Sequence, residues 1–356
     1  MFKYVPVFRA RQQETLVLKS FDFGESIYPM IEIIKEFDRV RPSESQLSME
    51  SIYAELIAGI QASKVFVDLP VYLKERPSMK KEVLEFSKKF CADRNKRTSF
   101  LLSISINSDK IIPVISSYLH KTGETNSLKL QFNELKDVYA SICFRVLYNH
   151  FFDDWDEIQE LIRPTDYVVL DLDVLPPYPS PAIKRIVSIW SVLQENAKIV
   201  IRSAINNDIQ NVSLNHGDVV YDADNSLLQT FRNFGANSFG DYVGIKKDDL
   251  SSGGTISPGF IMYDPINNQY IGYKGMVKSL SEFETTIVPD VIQSPWIKAI
   301  CESSVDYLSD LNKGWVTLNK IKDKEESGKS QAKFKRIAME HYLFCIKKKI
   351  DVGEIN

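Results

Sequence analysis

Cysteine is scarce in this chain of 356 residues. Cys91, Cys143, Cys301 and Cys345 lie far apart with no Cys-x-x-Cys and no Cys/His grouping, which excludes a disulfide framework and a structural zinc module. Long apolar runs are missing as well. No segment approaches the ~20 residues of a membrane-spanning helix, and the opening MFKYVPVFRARQQE turns polar too soon for a signal peptide. Charge of one sign is not in large excess: 44 basic residues face 47 acidic ones, a formal net charge of -3, so the molecule as a whole projects no strong field toward nucleic acid or an anionic membrane. The four histidines, at 120, 150, 216 and 341, form no HxH or HExxH pattern, which argues against a zinc hydrolase. No GxSxG, Walker or GxGxxG sequence occurs. These absences predict a cytoplasmic protein without a membrane anchor, whose affinity for nucleic acid, if it has one, is local.

What is present is a rhythm. Short β-branched runs recur as YVPVF at Tyr4, YPMIEII at Tyr28, VFVDLP at Val65, ICFRVL at Ile142, YVVLDLDVL at Tyr167 and KIVIRSAI at Lys198. Helix-length stretches with apolar residues every three or four positions fall between them, such as Ser78 to Phe90, Asp153 to Ile162 and Pro181 to Glu195. Alternating strands and helices call for a parallel sheet. Two runs compete for the fourth strand, SFLLSISI at Ser99 and IIPVIS at Ile111; the second is favoured, and SFGDYVGI at Ser238 completes eight. The predicted fold is α/β: a (β/α)8 TIM-like barrel over residues 1–250, followed over 251–356 by a β-hairpin, GFIMYDPINNQYIGYKG, and C-terminal helices near Pro295 to Leu311 and Gln331 to Lys349, packed on the barrel.

Because side chains alternate along a strand, each run can be divided into two faces. Val168, Leu170 and Leu172 oppose Val169, Asp171 and Asp173; Ile142, Phe144 and Val146 oppose Cys143, Arg145 and Leu147. Ile31 and Ile33 oppose Met30 and Glu32, Val65 and Val67 oppose Phe66 and Asp68, and Ile199 and Ile201 oppose Val200 and Arg202. In a barrel the uniformly apolar face meets the helices. Glu32, Asp68, Arg145, Asp171, Asp173, Arg202 and Asp241 are then expected to converge inside, near the C-terminal strand ends where such folds place their sites. That set holds five carboxylates and two guanidiniums, an acidic excess that a divalent cation, a lysine from elsewhere or raised pKa values would have to balance. Glu32, Asp68, Asp171 and Asp173 are candidate catalytic acids and bases, and Asp68, Asp171 and Asp173 candidate ligands of Mg²⁺ or Mn²⁺. Arg145 and Arg202 are candidate phosphate clamps. A purely structural ion-pair network accounts for the same residues, and the spacing alone does not choose between the two.

Two weaker features remain. Ser252, Gly253 and Gly254 follow the eighth strand, where many barrels bind phosphate through backbone N–H groups, although a plain turn reads the same way. From Lys320 to Lys349 ten basic residues accompany four acidic ones, so the last helix could contact nucleic acid or simply present a solvated face. His341 lies on a helix side with Phe334, Ala338 and Cys345, which favours a satisfied histidine on an apolar face.

Several segments together resemble the beta protein family, named for a protein of T-even bacteriophage. YVPVFRARQQE resembles its opening, a Tyr-x-Pro strand followed by a basic pair and a glutamate, YPMIEI its Pro-Leu-Ile-Glu-Ile strand, VFVDLP its Phe-x-Asp-Leu strand, YVVLDLD and FGDYVGI its later strand and Gly-Asp-Tyr signature, and GFIMYDPINNQYIGYKG its hairpin. The final AMEHY is similar to an end that often carries paired histidines, with Tyr342 in the second place. The resemblance marks Arg9, Glu14, Glu32, Asp68, Asp171, Asp241 and His341 as matching positions, and implies a phage, mobile-element or defence context, but names no reaction. On that footing Arg9, Asp241 and His341 join the candidate ligand-binding residues. Three functions are therefore carried forward: a phage- or defence-associated barrel that works with a protein partner and binds nucleic acid or a phosphorylated ligand at its mouth, a metal-dependent phosphodiesterase or related hydrolase, and a non-catalytic adaptor.

Overall fold

A computed structural model describes residues 2–36, 47–73, 75–193, 197–247, 250 and 257–355. Eight parallel strands close into a barrel: β1 (Tyr4–Arg9), β2 (Met30–Glu32), β3 (Val65–Asp68), β4 (Ile111–Ile115), β5 (Cys143–Leu147), β6 (Tyr167–Asp171), β7 (Ala197–Ile201) and β8 (Ser238–Asp241), each beside its neighbour in chain order, with β8 returning to β1. The run at Ile111 is the fourth strand, as its β-branched Ile and Val content favours. The competing run at Ser99 lies mostly on helix α1 (Arg94–Ser103), where the Asp93 carboxylate caps the Lys96 N–H at 3.1 Å. Arg97, Phe100, Leu101 and Ile104, at helical spacing, are all buried.

Register decides which residues fill the barrel. Parallel strands align side chains of one face across paired residues, so the inner ring can be followed from strand to strand. Arg9 pairs with Glu32 and Glu32 with Asp68; Arg145 pairs with Val169 and Asp171 with Ile201; Ile201 pairs with Gly240 and Gly240 with Val5. The N-terminal end is plugged by aromatic rings, Phe2 stacking on Tyr28 at 4.5 Å and Phe66 meeting Tyr167 edge-on at 5.4 Å.

That register corrects the predicted faces of β7 and β8. Ile199 and Ile201 point inward, level with Val169 and Asp171, while Val200 shares the outer face with Phe239 and Tyr4. The reason is local volume. A Cβ built on Gly240 would lie 2.7 Å from Ile201 Cγ2, so the inner space beside β8 is already filled by isoleucine and leaves no room for charge. Lys198, on the outer face, extends its Nζ to the Leu193 carbonyl at 2.7 Å.

The chain divides into two compact units. The first is the barrel, made of the described residues of Met1–Arg202, Thr230–Asp241 and Leu250–Ser252. The described residues of Ser203–Gln229, Tyr242–Asp249 and Gly253–Asn356 make the second, which thus draws on stretches that lie before residue 250. Its hairpin pairs β9 (Gly259–Asp264) with β10 (Gln269–Lys274), and the short strand Asp218–Val219 adds antiparallel to β10 as a third strand. Asn268 closes the turn with φ +52°, in the left-handed region asparagine tolerates. Helix α2 (Lys313–Lys322) crosses the long C-terminal helix α3 (Gln331–Asp351) closely: any side chain on Gly314 would meet the Ile337 carbonyl and come within 2.8 Å of the His341 backbone nitrogen. No described helix is long and apolar enough to cross a membrane.

Candidate functional site

The inner ring ends in charge at the C-terminal side of β1, β2, β3, β5 and β6, and one arginine organises it. Arg145 Nη1 donates to Glu32 Oε1 at 2.8 Å and to Asp68 Oδ2 at 2.7 Å, while Nη2 reaches Asp171 Oδ2 at 2.6 Å. Arg9 Nε holds the other oxygen of Glu32 at 3.0 Å. Asp68 Oδ1 is taken by a residue the strand pattern does not contain, Arg97 of α1, at 2.8 Å. Arg97 is wholly buried and also donates to the Leu69 and Val114 carbonyls and to Gln131 Oε1. All three carboxylates are about 1% exposed.

This removes the predicted acidic excess. Glu32, Asp68 and Asp171 face Arg9, Arg97 and Arg145, three charges of each sign. Burying such a set is tolerable only when the lone pairs are satisfied by hydrogen bonds, and they are: the last oxygen, Asp171 Oδ1, accepts the Asp173 N–H at 2.8 Å. A divalent cation placed here would have to displace a guanidinium from Glu32 and from Asp68, and either Arg145 or the Asp173 N–H from Asp171, so the donor set does not fit Mg²⁺ or Mn²⁺.

The other expected members lie elsewhere. Asp173 follows β6 in a left-handed turn, φ +55°, rather than continuing its inner face; the strand ends at Asp171 and the alternation ends with it. Asp241 shares the outer face of β8 with Phe239 and accepts the Tyr4 hydroxyl at 2.6 Å. Arg202 follows β7 two residues after the outward Val200. Ser252, Gly253 and Gly254 lie outside the described residues. Glu14 is buried beneath Arg11, whose Nη2 donates to it at 2.6 Å. His341 is fully buried in the second unit, where Nδ1 meets the Asn312 amide at 2.9 Å and Nε2 the Tyr263 carbonyl at 2.8 Å. Those partners fix a neutral imidazole protonated on Nε2, a structural role rather than a ligand-binding one.

Burial pushes the His341 pKa down from 6.5 to about 4, outweighing the Tyr263 carbonyl bond that raises it. The unfolded chain therefore takes up a proton near pH 6.5 that the folded chain refuses until about pH 4, so stability falls as pH drops through that window. Asp154 acts in the opposite sense. Burial raises its pKa from 3.8 to about 6, so its contribution falls as pH rises across that range, equally in wild type and variant. A His341→Gln variant, which keeps an amide donor for Tyr263, is expected to melt lower than wild type at pH 7.5 and to lose less on acidification to pH 5. Equal losses in the two melting curves would show that His341 does not set this slope.

Sequence reasoning also missed a cluster beside the ion-pair ring. His120 follows β4 and His150 follows β5, and neighbouring strands bring their loops together: the two imidazoles stack with centroids 3.8 Å apart. His120 Nε2 lies 3.0 Å from Asp153 Oδ2 at the solvent edge, and the Tyr72 ring meets His150 at 5.6 Å. Asp153 and Asp154 sit in the first turn of the helix Phe151–Leu161, where its dipole favours negative charge. Asp154 is buried, takes a hydrogen bond from Ser117 and leaves Oδ2 without a partner among the described residues. Tyr72 and Ser116 both donate to the Arg145 carbonyl, at 3.4 and 3.0 Å, joining this cluster to the ring. Burial holds the Asp154 carboxyl of this cluster raised to about 6. The cluster's sequence signal was positional: a histidine three to five residues past the end of each of two consecutive strands.

The family model described as Beta protein matches residues 4–346. A search of curated proteins found no match. Among solved structures, the chain is similar to the N-terminal domain of a Bacteroides vulgatus protein whose name associates it with the aldolases, at 10% identity and a TM-score of 0.36, over 69% of this chain and 74% of that one.

Proposed function

The chain belongs to the beta protein family, and from that premise we propose that it is a phage- or defence-associated barrel protein of the cytoplasm that acts with a protein partner. The observation that carries this reading over a metal-dependent hydrolase is the Arg145 ring, in which every carboxylate oxygen of Glu32, Asp68 and Asp171 is already engaged. The charged layer is then a scaffold. Recognition falls to the mouth, where His120 and Asp153 are partly exposed.

A protein partner is favoured over nucleic acid because part of the basic tail is engaged within the fold. Lys333 pairs with Glu326 at 2.8 Å, Lys347 with Asp351 at 3.5 Å and Lys349 with Glu354 at 2.7 Å, and the middle of α3 is buried from Ile337 to Ile346. Four free cysteines, three of them buried, suit a reducing compartment.

Deleting the gene is expected to change phage plating on the host, with rescue by wild type and not by a His120→Ala, Asp153→Ala double variant that still folds. Unchanged plating, or full rescue by that variant, defeats the reading. Titration with millimolar Mg²⁺ or Mn²⁺ is expected to leave the melting temperature unmoved. A rise that Asp171→Asn abolishes would instead restore the hydrolase.

A further inference from the structure

The second unit holds an open surface pocket of about 440 Å³ that the barrel site does not use. It lies within the size range of small-ligand sites. Its walls come from the segment after Asp218 and from the hairpin turn: Tyr221, Asp224, Asn225, Gln229, Asn267 and Asn268 carry its polar chemistry. Among the described residues no lysine or arginine lines it, and Asp224 is its one carboxylate.

The floor is fixed in advance. Asn225 is 4% exposed, and its Oδ1 accepts the Tyr270 and Tyr342 hydroxyls at 3.2 and 2.9 Å. Its Nδ2 donates to Asn268 Oδ1 at 3.0 Å, which also accepts the Tyr263 hydroxyl at 2.8 Å, and Asn268 Nδ2 returns a bond to the Asn225 carbonyl at 3.3 Å. Among the described residues each amide nitrogen spends one N–H in these bonds. At the rim the Tyr221 side chain is 87% exposed, an aromatic face left in water beside the opening.

We propose that this pocket binds a neutral carbohydrate, one sugar ring stacked on Tyr221 and its hydroxyls shared among Asp224, the Asn225 and Asn268 amides and Gln229. The chemistry selects that class. Amides and a carboxylate hydrogen-bond vicinal hydroxyls as paired donors and acceptors, a tyrosine face receives the C–H side of a pyranose, and a lining without cations gives a phosphate nothing to pair with. Pre-set amides also spare the ligand the cost of ordering them.

Saturation-transfer NMR and calorimetry on the full chain would use glucose, galactose, mannose, N-acetylglucosamine and maltose, with glucose 6-phosphate and AMP as controls. At least one neutral sugar is expected to bind, with affinity falling about tenfold or more in Tyr221→Ala and in Asp224→Asn and the melting temperature of Tyr221→Ala unchanged. The proposal is overturned if none of the sugars binds, if only a phosphorylated control binds, or if Tyr221→Ala binds as wild type does. These readouts are independent of phage plating.

Discussion

Replacing Arg145 by methionine is expected to destabilise the barrel by at least about 3–5 kcal/mol, the usual cost of leaving buried charges without their partner, and so to unfold much of the population if total stability is the ordinary ~5–15 kcal/mol. Arg145 alone contacts three carboxylates, at 2.8, 2.7 and 2.6 Å, in a ring about 1% exposed. Methionine fills similar volume, so the loss is electrostatic rather than a cavity effect. Because Asp171 has only Arg145 as its cationic partner among the described residues, Asp171→Asn should cost stability in wild type yet recover part of the loss in the Arg145→Met background. Urea denaturation of the four proteins measures that cycle. If Arg145→Met unfolds at the wild-type midpoint, or if the two substitutions simply add, the ring does not hold the barrel mouth together.

Gly240→Ala is the second large effect. The inner face of β8 has no room for a methyl group: it would meet the Val5 carbonyl oxygen of the adjoining strand and Ile201 Cγ2 at 2.7 Å. The carbonyl belongs to the β1–β8 seam that closes the barrel and cannot turn aside as a flexible side chain would. Overpacking of this kind costs about 1–3 kcal/mol where side chains give way, and the upper end or beyond is expected here. Gly59, at the end of the helix Met49–Gly59, is the control; nothing lies within 4 Å of its added Cβ, so Gly59→Ala should be neutral or mildly stabilising. Thermal melts of both variants decide the matter, and equal shifts would mean that the seam is not tight.

Seven of the eight strands were legible in the sequence as short runs with β-branched residues bounded by helical spacing, and the eighth, SFGD, which has none, was legible as the run that completes the count. The inner positions of β2, β3, β5 and β6 were legible because Glu32, Asp68, Arg145 and Asp171 mark them by charge. β7 was not, since its two faces, Ile199 with Ile201 and Val200 with Arg202, are both acceptable alone; only pairing with Gly240 shows which is inside. Arg97 escaped because strands were searched and it lies on a helix. It was nonetheless detectable as a charge on the stripe of Phe100, Leu101 and Ile104, where a cation is expected to reach a buried acid. Missing Arg97, leaving Arg9 out of the inner set and counting Asp173 and Asp241 within it together produced the apparent acidic excess, and with it the expectation of a metal. His120 and His150 are 30 positions apart and become neighbours only once β4 and β5 are known to be adjacent.

The three-stranded sheet of the second unit has a consequence for how the gene can be cut. Its outer strand, Asp218–Val219, is encoded between β7 and β8, while the hairpin that it joins comes after the barrel. A stop codon placed near position 250 would strip that strand of its partner and expose Val220 and Leu214, which border Gly272 of the hairpin. The second unit can therefore be neither shed by truncation nor transplanted as one contiguous exon-like block, and shuffling between relatives should leave functional proteins only when both stretches come from the same parent.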